Sequence, residues 1–153
     1  MRFYRDLVAG KVVAINFIFT SCTTICPPLG VKFGALQGLL GERFGKDAFL
    51  VSVSVDPLHD TPARLKAWAA KFKARPGWTL VTGRKPDVEA LLRAVNAFEG
   101  APGDHSPMVL VGNDASHYWT RAHGLAPAPV LARSIEQALS RPTAVAAGAK
   151  GSP

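Results

Sequence analysis

Apolar and polar positions along the chain follow two periods in turn. In residues 11–19, K-V-V-A-I-N-F-I-F, every position after Lys11 except Asn16 is apolar, on both faces of an extended chain, the pattern of a strand in mid-sheet. From Leu29 the apolar residues fall at Phe33, Leu36, Leu40 and Phe44, the stripe of a helix expected to end at Gly45. Gly30, Gly34, Gly38 and Gly41 smooth its other surface, at a cost of about 1 kcal/mol each relative to alanine, so close packing is the expected compensation. Upstream, residues 3–10 read as an edge strand and turn closed by Gly10.

Residues 48–55 form a second buried strand, stopped by Asp56-Pro57. The segment Asp60-Thr61-Pro62 reads as a cap followed by a first-turn proline, and Leu65, Trp68 and Phe72 give the next helix its buried stripe. Arg75-Pro76-Gly77 breaks that helix. A third strand at 78–82 leads to a helix at about 86–98, with Val88, Leu91, Leu92 and Val95 inward. After the loop E-G-A-P-G-D-H-S-P, residues 108–111 and 116–121 flank G-N-D-A and read as a hairpin, and a last helix covers 130–139. Residues 1–140 are expected to form a single domain, and 141–153, rich in Ala, Gly and Pro, a disordered tail.

Strands alternating with helices imply an α/β protein with a mixed, mostly parallel sheet, because right-handed crossovers place helices on both faces. A hairpin and a helix close the order. Sites in such sheets gather at the carboxyl ends of strands, and Cys22, Asp56 and Asp60 follow such ends. Asp56 and Asp60 read as loop and cap residues, and His59, His117 and His123 as surface groups.

Composition narrows the classes. A chain of 153 residues, 48% hydrophobic, can bury a full core without staples, and two cysteines are too few for a disulfide scaffold. The longest apolar run is far short of the roughly 20 residues that span a bilayer, and M-R-F-Y-R-D-L is not a signal peptide. The net charge of +7 invites an acidic partner, but Lys and Arg are scattered without interleaved aromatic residues, so nucleic acid is not expected. Residues 41–46, G-E-R-F-G-K, are one residue short of a phosphate-binding loop and lack its Ser or Thr, which excludes a nucleotide site there.

The candidate chemistry lies at residues 17–30, F-I-F-T-S-C-T-T-I-C-P-P-L-G, which hold both cysteines. A strand runs out before Cys22, and Pro27-Pro28 suit the first turn of a helix, so Cys26 sits at or just before a helix N-terminus. Free N–H groups and the helix dipole there favour the thiolate, the form that attacks disulfides and binds metal.

F-T-S-C-T-T-I-C-P, then V-S-V-D-P-L-H-D-T-P about thirty residues on, then D-H-S before an apolar strand, resembles the Sco/SenC family of copper-binding, thioredoxin-fold proteins. The resemblance covers nearly the whole of 10–139, although Thr23-Thr24 stand where many relatives have Pro-Asp. It implies a thioredoxin-like fold and copper, Cu(I) or Cu(II), held by Cys22, Cys26 and His105. Asp104 and Asp56 are candidates to orient those ligands, and Pro107 lies close to where thioredoxin folds place a cis-proline. The implied partner is the copper-binding subunit of cytochrome c oxidase, with other copper carriers or thiol reductases besides. The implied setting is extracytoplasmic, the bacterial periplasm or its equivalent, with any membrane attachment made through an anchor outside this chain.

Donor chemistry supports that ligand set. Two thiolates and an imidazole are a soft trio suited to Cu(I), whereas structural zinc usually takes four protein ligands. Cysteines at i and i+4 can chelate one ion or oxidise to a disulfide. Two functions therefore compete: a copper chaperone, not itself an enzyme, and a thiol-disulfide oxidoreductase or peroxidase-like protein using the same pair. His105 discriminates, because a reductase has no evident need for an imidazole there.

Overall fold

The computed structural model describes residues 7–18, 26–56, 59–94, 108–123 and 126–141. Its elements in chain order are β1 (Val12–Ile18), α1 (Cys26–Leu40), β2 (Ala48–Ser54), α2 (Pro62–Lys71), β3 (Trp78–Val81), α3 (Lys85–Ala94), β4 (Met108–Asn113), β5 (Tyr118–His123) and α4 (Ala128–Leu139). The sheet order is β3-β2-β1-β4-β5, so the wholly apolar run becomes the central strand, as its two-sided pattern requires. β1 pairs in parallel with β2, and β2 with β3, while β4 is antiparallel to both β1 and β5. β4 is thus the one strand of the five that runs against the rest.

Each face of β1 is sealed by its own layer. On one face Ala14, Ile18, Leu50, Val109 and Val111 meet Leu29, Phe33 and Leu36 of α1, Leu65 and Trp68 of α2, and Leu131 and Ile135 of α4. On the other, Val13, Ile15, Phe17, Val51 and Leu110 meet Val88 of α3 and Val8. Helices therefore cover both faces. Full burial of a Leu, Ile or Phe side chain contributes roughly 1.5–3 kcal/mol, so these contacts fix α1 on the sheet. Gly30 lets them do so: a Cβ there would lie 2.6 Å from the Phe72 ring, which presses on α1 from the end of α2.

The structure departs from the sequence pattern in four places. Residues 7–10 form a helical turn rather than an edge strand, because β2 and β4 occupy both edges of β1; residues 3–6 of that expected strand lie outside the described residues. Helix α1 stops at Leu40, not Gly45: Gly41 takes the left-handed conformation (φ 59°), and a short 3-10 turn, Gly41–Arg43, follows. Phe44 then bridges to Ala48, half-buried at the end of its stripe. The cap of α2 is Thr61, whose hydroxyl accepts from Arg64 N–H at 3.2 Å, with Pro62 next to it; Asp60 is not the cap. Gly112 and Asn113 belong to β4, and the hairpin turns at Asp114–Ser116, where the Asn113 side chain accepts from Ser116 N–H. The third helix is described only to Ala94, which leaves Val95 outside.

Candidate metal and thiol site

One end of the sheet collects the ends of the elements that bracket the cysteine segment. β1 stops at Ile18, whose carbonyl accepts a hydrogen bond from Val55 N–H at 2.8 Å, so β1 and β2 finish side by side. β4 runs antiparallel beside β1, with Val109 opposite Asn16, and therefore starts at that same end with Met108. Helix α1 begins at Cys26, as expected from Pro27-Pro28. The chain thus leaves β1, begins α1 and enters β4 at one place.

Cys22, Asp104, His105 and Pro107 lie outside the described residues, as does the side chain of Cys26. Asp56 and Asp60 are described, in the turn that follows β2. Asp56 and Asp60 are joined through the backbone, Asp60 N–H to Asp56 C=O at 2.9 Å. Asp60 is almost wholly buried, and Ser54 Oγ–H donates to its Oδ2 at 2.7 Å. Ser54 Oγ also accepts from Asp56 N–H at 3.1 Å, so one hydroxyl locks both ends of the turn. The Asp56 carboxylate faces His59, whose Nδ1 lies 2.9 and 3.0 Å from its two oxygens. His59 is exposed, as its sequence reading had it, but holds this partner.

Below the turn lies a polar row that the strand pattern hides. Asn16 and Ser52 face each other across the β1–β2 register, and Ser52 Oγ–H donates to Asn16 Oδ1 at 2.6 Å. Trp78 Nε1–H donates to the same Ser52 oxygen at 2.9 Å. All three are buried, and Asn16 Nδ2 has no hydrogen-bond partner among the described residues. The available signal was the lone Asn in an apolar strand and the alternation V-S-V-S in the next, which puts both serines on one face. Among the described residues no three His, Cys, Asp or Glu side chains converge on a metal position; the expected donors belong to the segments outside them.

A parallel β-α-β-α-β half, an antiparallel hairpin and a closing helix, with a cysteine at the start of the first helix, define a thioredoxin-like α/β protein. The chain belongs to the SCO1/SenC family, whose model matches residues 2–140. Its structure is similar to that of a SCO1/SenC family lipoprotein from Bacillus anthracis, with 28% identity, a TM-score of 0.75, and 88% of this chain and 84% of that one covered. It is also similar to BsSco, described as a member of the Sco family of cytochrome c oxidase assembly proteins with a disulfide switch, at 28% identity and a TM-score of 0.71, covering 86% and 81% of the two chains. In sequence it is 31% identical over 135 residues to a putative copper-binding protein of Stutzerimonas stutzeri, covering 82% of this chain and 63% of that protein. The chain spans only part of the curated relatives it matches, 40% and 63% of the length of two of them.

Proposed function

We propose that this protein binds copper as cargo through Cys22, Cys26 and His105, and delivers it to, or prepares, the binuclear copper site of cytochrome c oxidase. The observation that carries this reading is the meeting of β1's end, α1's start and β4's start at one end of the sheet. His105 precedes Met108 by three residues, a reach of at most about 11 Å, and β4 is the direct neighbour of the strand that leads to Cys22. The donor set fits the ion: two thiolates and one imidazole suit Cu(I) in a trigonal site and also hold Cu(II). The Ser54–Asp60 and Asp56–His59 bonds would hold the neighbouring turn in shape, and Asp56 would steady a ligand from there. The name of the Stutzerimonas relative, a putative copper-binding protein, and the place of BsSco among cytochrome c oxidase assembly proteins support the cargo and the recipient. The lipoprotein relative supports an extracytoplasmic working place.

Anaerobic titration of the reduced protein with Cu(I), with and without His105, tests the proposal. One copper per chain is expected. His105→Ala should keep Cu(I), which accepts two thiolates alone, and lose Cu(II) with its thiolate-to-copper visible absorption. The start of α1 at Cys26 also favours a second reading, thiol-disulfide exchange by the same pair. If His105→Ala leaves copper binding unchanged in both oxidation states and cripples disulfide reduction, the oxidoreductase reading replaces the chaperone.

A further inference from the structure

The end of the sheet opposite the cysteine segment is a second functional surface, and we infer that it docks on an anionic phospholipid membrane. Its charge comes from several separate elements. Lys11 precedes β1, Arg43 and Lys46 precede β2, and Arg141 follows α4; together with Asp47 and Glu136 they line one open groove of about 830 Å³. Lys71, Lys73 and Arg75 stand where α2 hands over to β3, beside β2 at the same end. The carboxylates of this end, Glu42, Asp47, Asp114 and Glu136, are fewer than its cations.

Four of these cations lie against aromatic rings. Arg141 lies 4.1 Å from the Tyr118 ring centre, Lys11 5.3 Å from Phe49, Arg75 5.4 Å from Phe44 and Lys71 5.8 Å from Phe72. A ring orients a cation without cancelling its charge, so the field outside stays positive. Arg43, Lys46, Lys71, Lys73, Arg75 and Arg141 pair with no carboxylate among the described residues. At the cysteine end Arg84 pairs with Asp87 at 3.1 Å and Lys85 with Glu89 at 3.9 Å, while Arg64 donates to the His59 carbonyl at 3.1 Å. The helix dipole accounts for Lys71 in the last turn of α2, but the last turns of α1 and α4 hold no basic residue, and Lys11 and Lys46 lead into strands. An exposed apolar side chain, Leu39, stands in the last turn of α1 beside them.

Cations spread around a whole end of the molecule, with an apolar side chain among them, match a broad anionic sheet of phosphodiester headgroups better than one acidic protein segment. Docked this way, the protein turns β1's far end, and with it the cysteine segment, away from the bilayer.

The test is co-sedimentation with vesicles of phosphatidylcholine containing about 30% phosphatidylglycerol, at about 50 mM and about 500 mM salt. Binding is expected at low salt, release at high salt, and none to pure phosphatidylcholine. Arg43→Glu/Lys46→Glu/Arg141→Glu should weaken binding at least about tenfold, while Lys66→Glu/Arg84→Glu/Lys85→Glu, the same change in net charge, should leave it within about threefold. Unaltered protein provides a second measurement that needs no refolded variant: vesicles should protect Lys46 from acetylation and leave Lys85 reactive. Equal loss in both triple variants, salt-resistant binding, equal binding to neutral vesicles or equal protection of both lysines would overturn the inference. Failure to bind vesicles while binding a polyglutamate probe would overturn it in favour of an acidic protein partner.

Discussion

Along one face of the β1–β2 pair, the residues nearest the start of the strands, Ala14, Ala48 and Leu50, are apolar and wholly buried, while nearer the end Asn16, Ser52 and Ser54 are equally buried and polar, with Ile18 the one apolar side chain beside them. The two halves are made by the same strands under the same helices. Dispersion and water exclusion hold the first half, and neither has a preferred direction. Hydrogen bonds hold the second, and they fix both distance and angle: Ser52 between Asn16 and Trp78, Ser54 between Asp56 and Asp60. Burying those polar groups costs free energy unless each is paired, so their concentration at the end where the cysteine segment begins marks a place where geometry outweighs stability.

The largest effect should come from the sulfurs themselves. Cys22→Ser and Cys26→Ser are each expected to weaken Cu(I) binding at least about a thousandfold, or about 4 kcal/mol, in competition with a chelator of known affinity. Stoichiometric tight binding by either variant would remove that cysteine as a ligand, and with it the reason for a directional half.

Leu50→Ala cuts into the apolar half and should lower unfolding stability by about 2–5 kcal/mol in urea titration, with copper stoichiometry unchanged in the folded protein. A loss of copper affinity without loss of stability would merge the two halves.

Ser54→Ala takes the hydroxyl donor from the buried Asp60 carboxylate and the acceptor from Asp56 N–H. About 1–3 kcal/mol of stability should go, and copper affinity should fall with it, because the turn beside the site loosens. If stability falls alone, the hydrogen bonds serve the fold and not the site.

Asn16→Val should have the smallest effect, within about 1.5 kcal/mol by thermal denaturation, although Asn16 is fully buried. The substitution removes an amide Nδ2 that has no partner among the described residues, which offsets the loss of the Oδ1 that accepts from Ser52 Oγ–H, and leaves Ser52 its bond from Trp78. A loss of several kcal/mol would show that the amide is satisfied in solution and that the row is a closed network.

Much of the fold was legible because it follows from local pattern. A run apolar on both faces sits in mid-sheet, and β1 does; Pro62 marked the first turn of α2, though its cap is Thr61 and not Asp60, and Pro27-Pro28 put α1's start at Cys26. Misreadings arose where local signals tied or where a neighbour decided. Gly41 and Gly45 both take positive φ, and nothing local ranks them as helix stops. Leu7 and Val8 have the composition of a strand, but both edges of β1 were taken. For the site, the sequence supplied Cys22, Cys26, His105, Asp104 and Asp56 by motif, and the structure describes only Asp56 among their side chains.

The sequence by itself determined which segments from β1 to α4 are strands and helices, that a cysteine opens the first helix, and that the chain carries the motif set of its family, because each of these depends on residues within a few positions of one another. Only the tertiary structure decided that β4 lies antiparallel against β1 and so starts where β1 ends, that Ser54 and Asp60 close on each other, and that the cations of separate elements share one end of the sheet. Those depend on pairings between residues far apart in the chain. Their strength is set by register and packing that no local window contains.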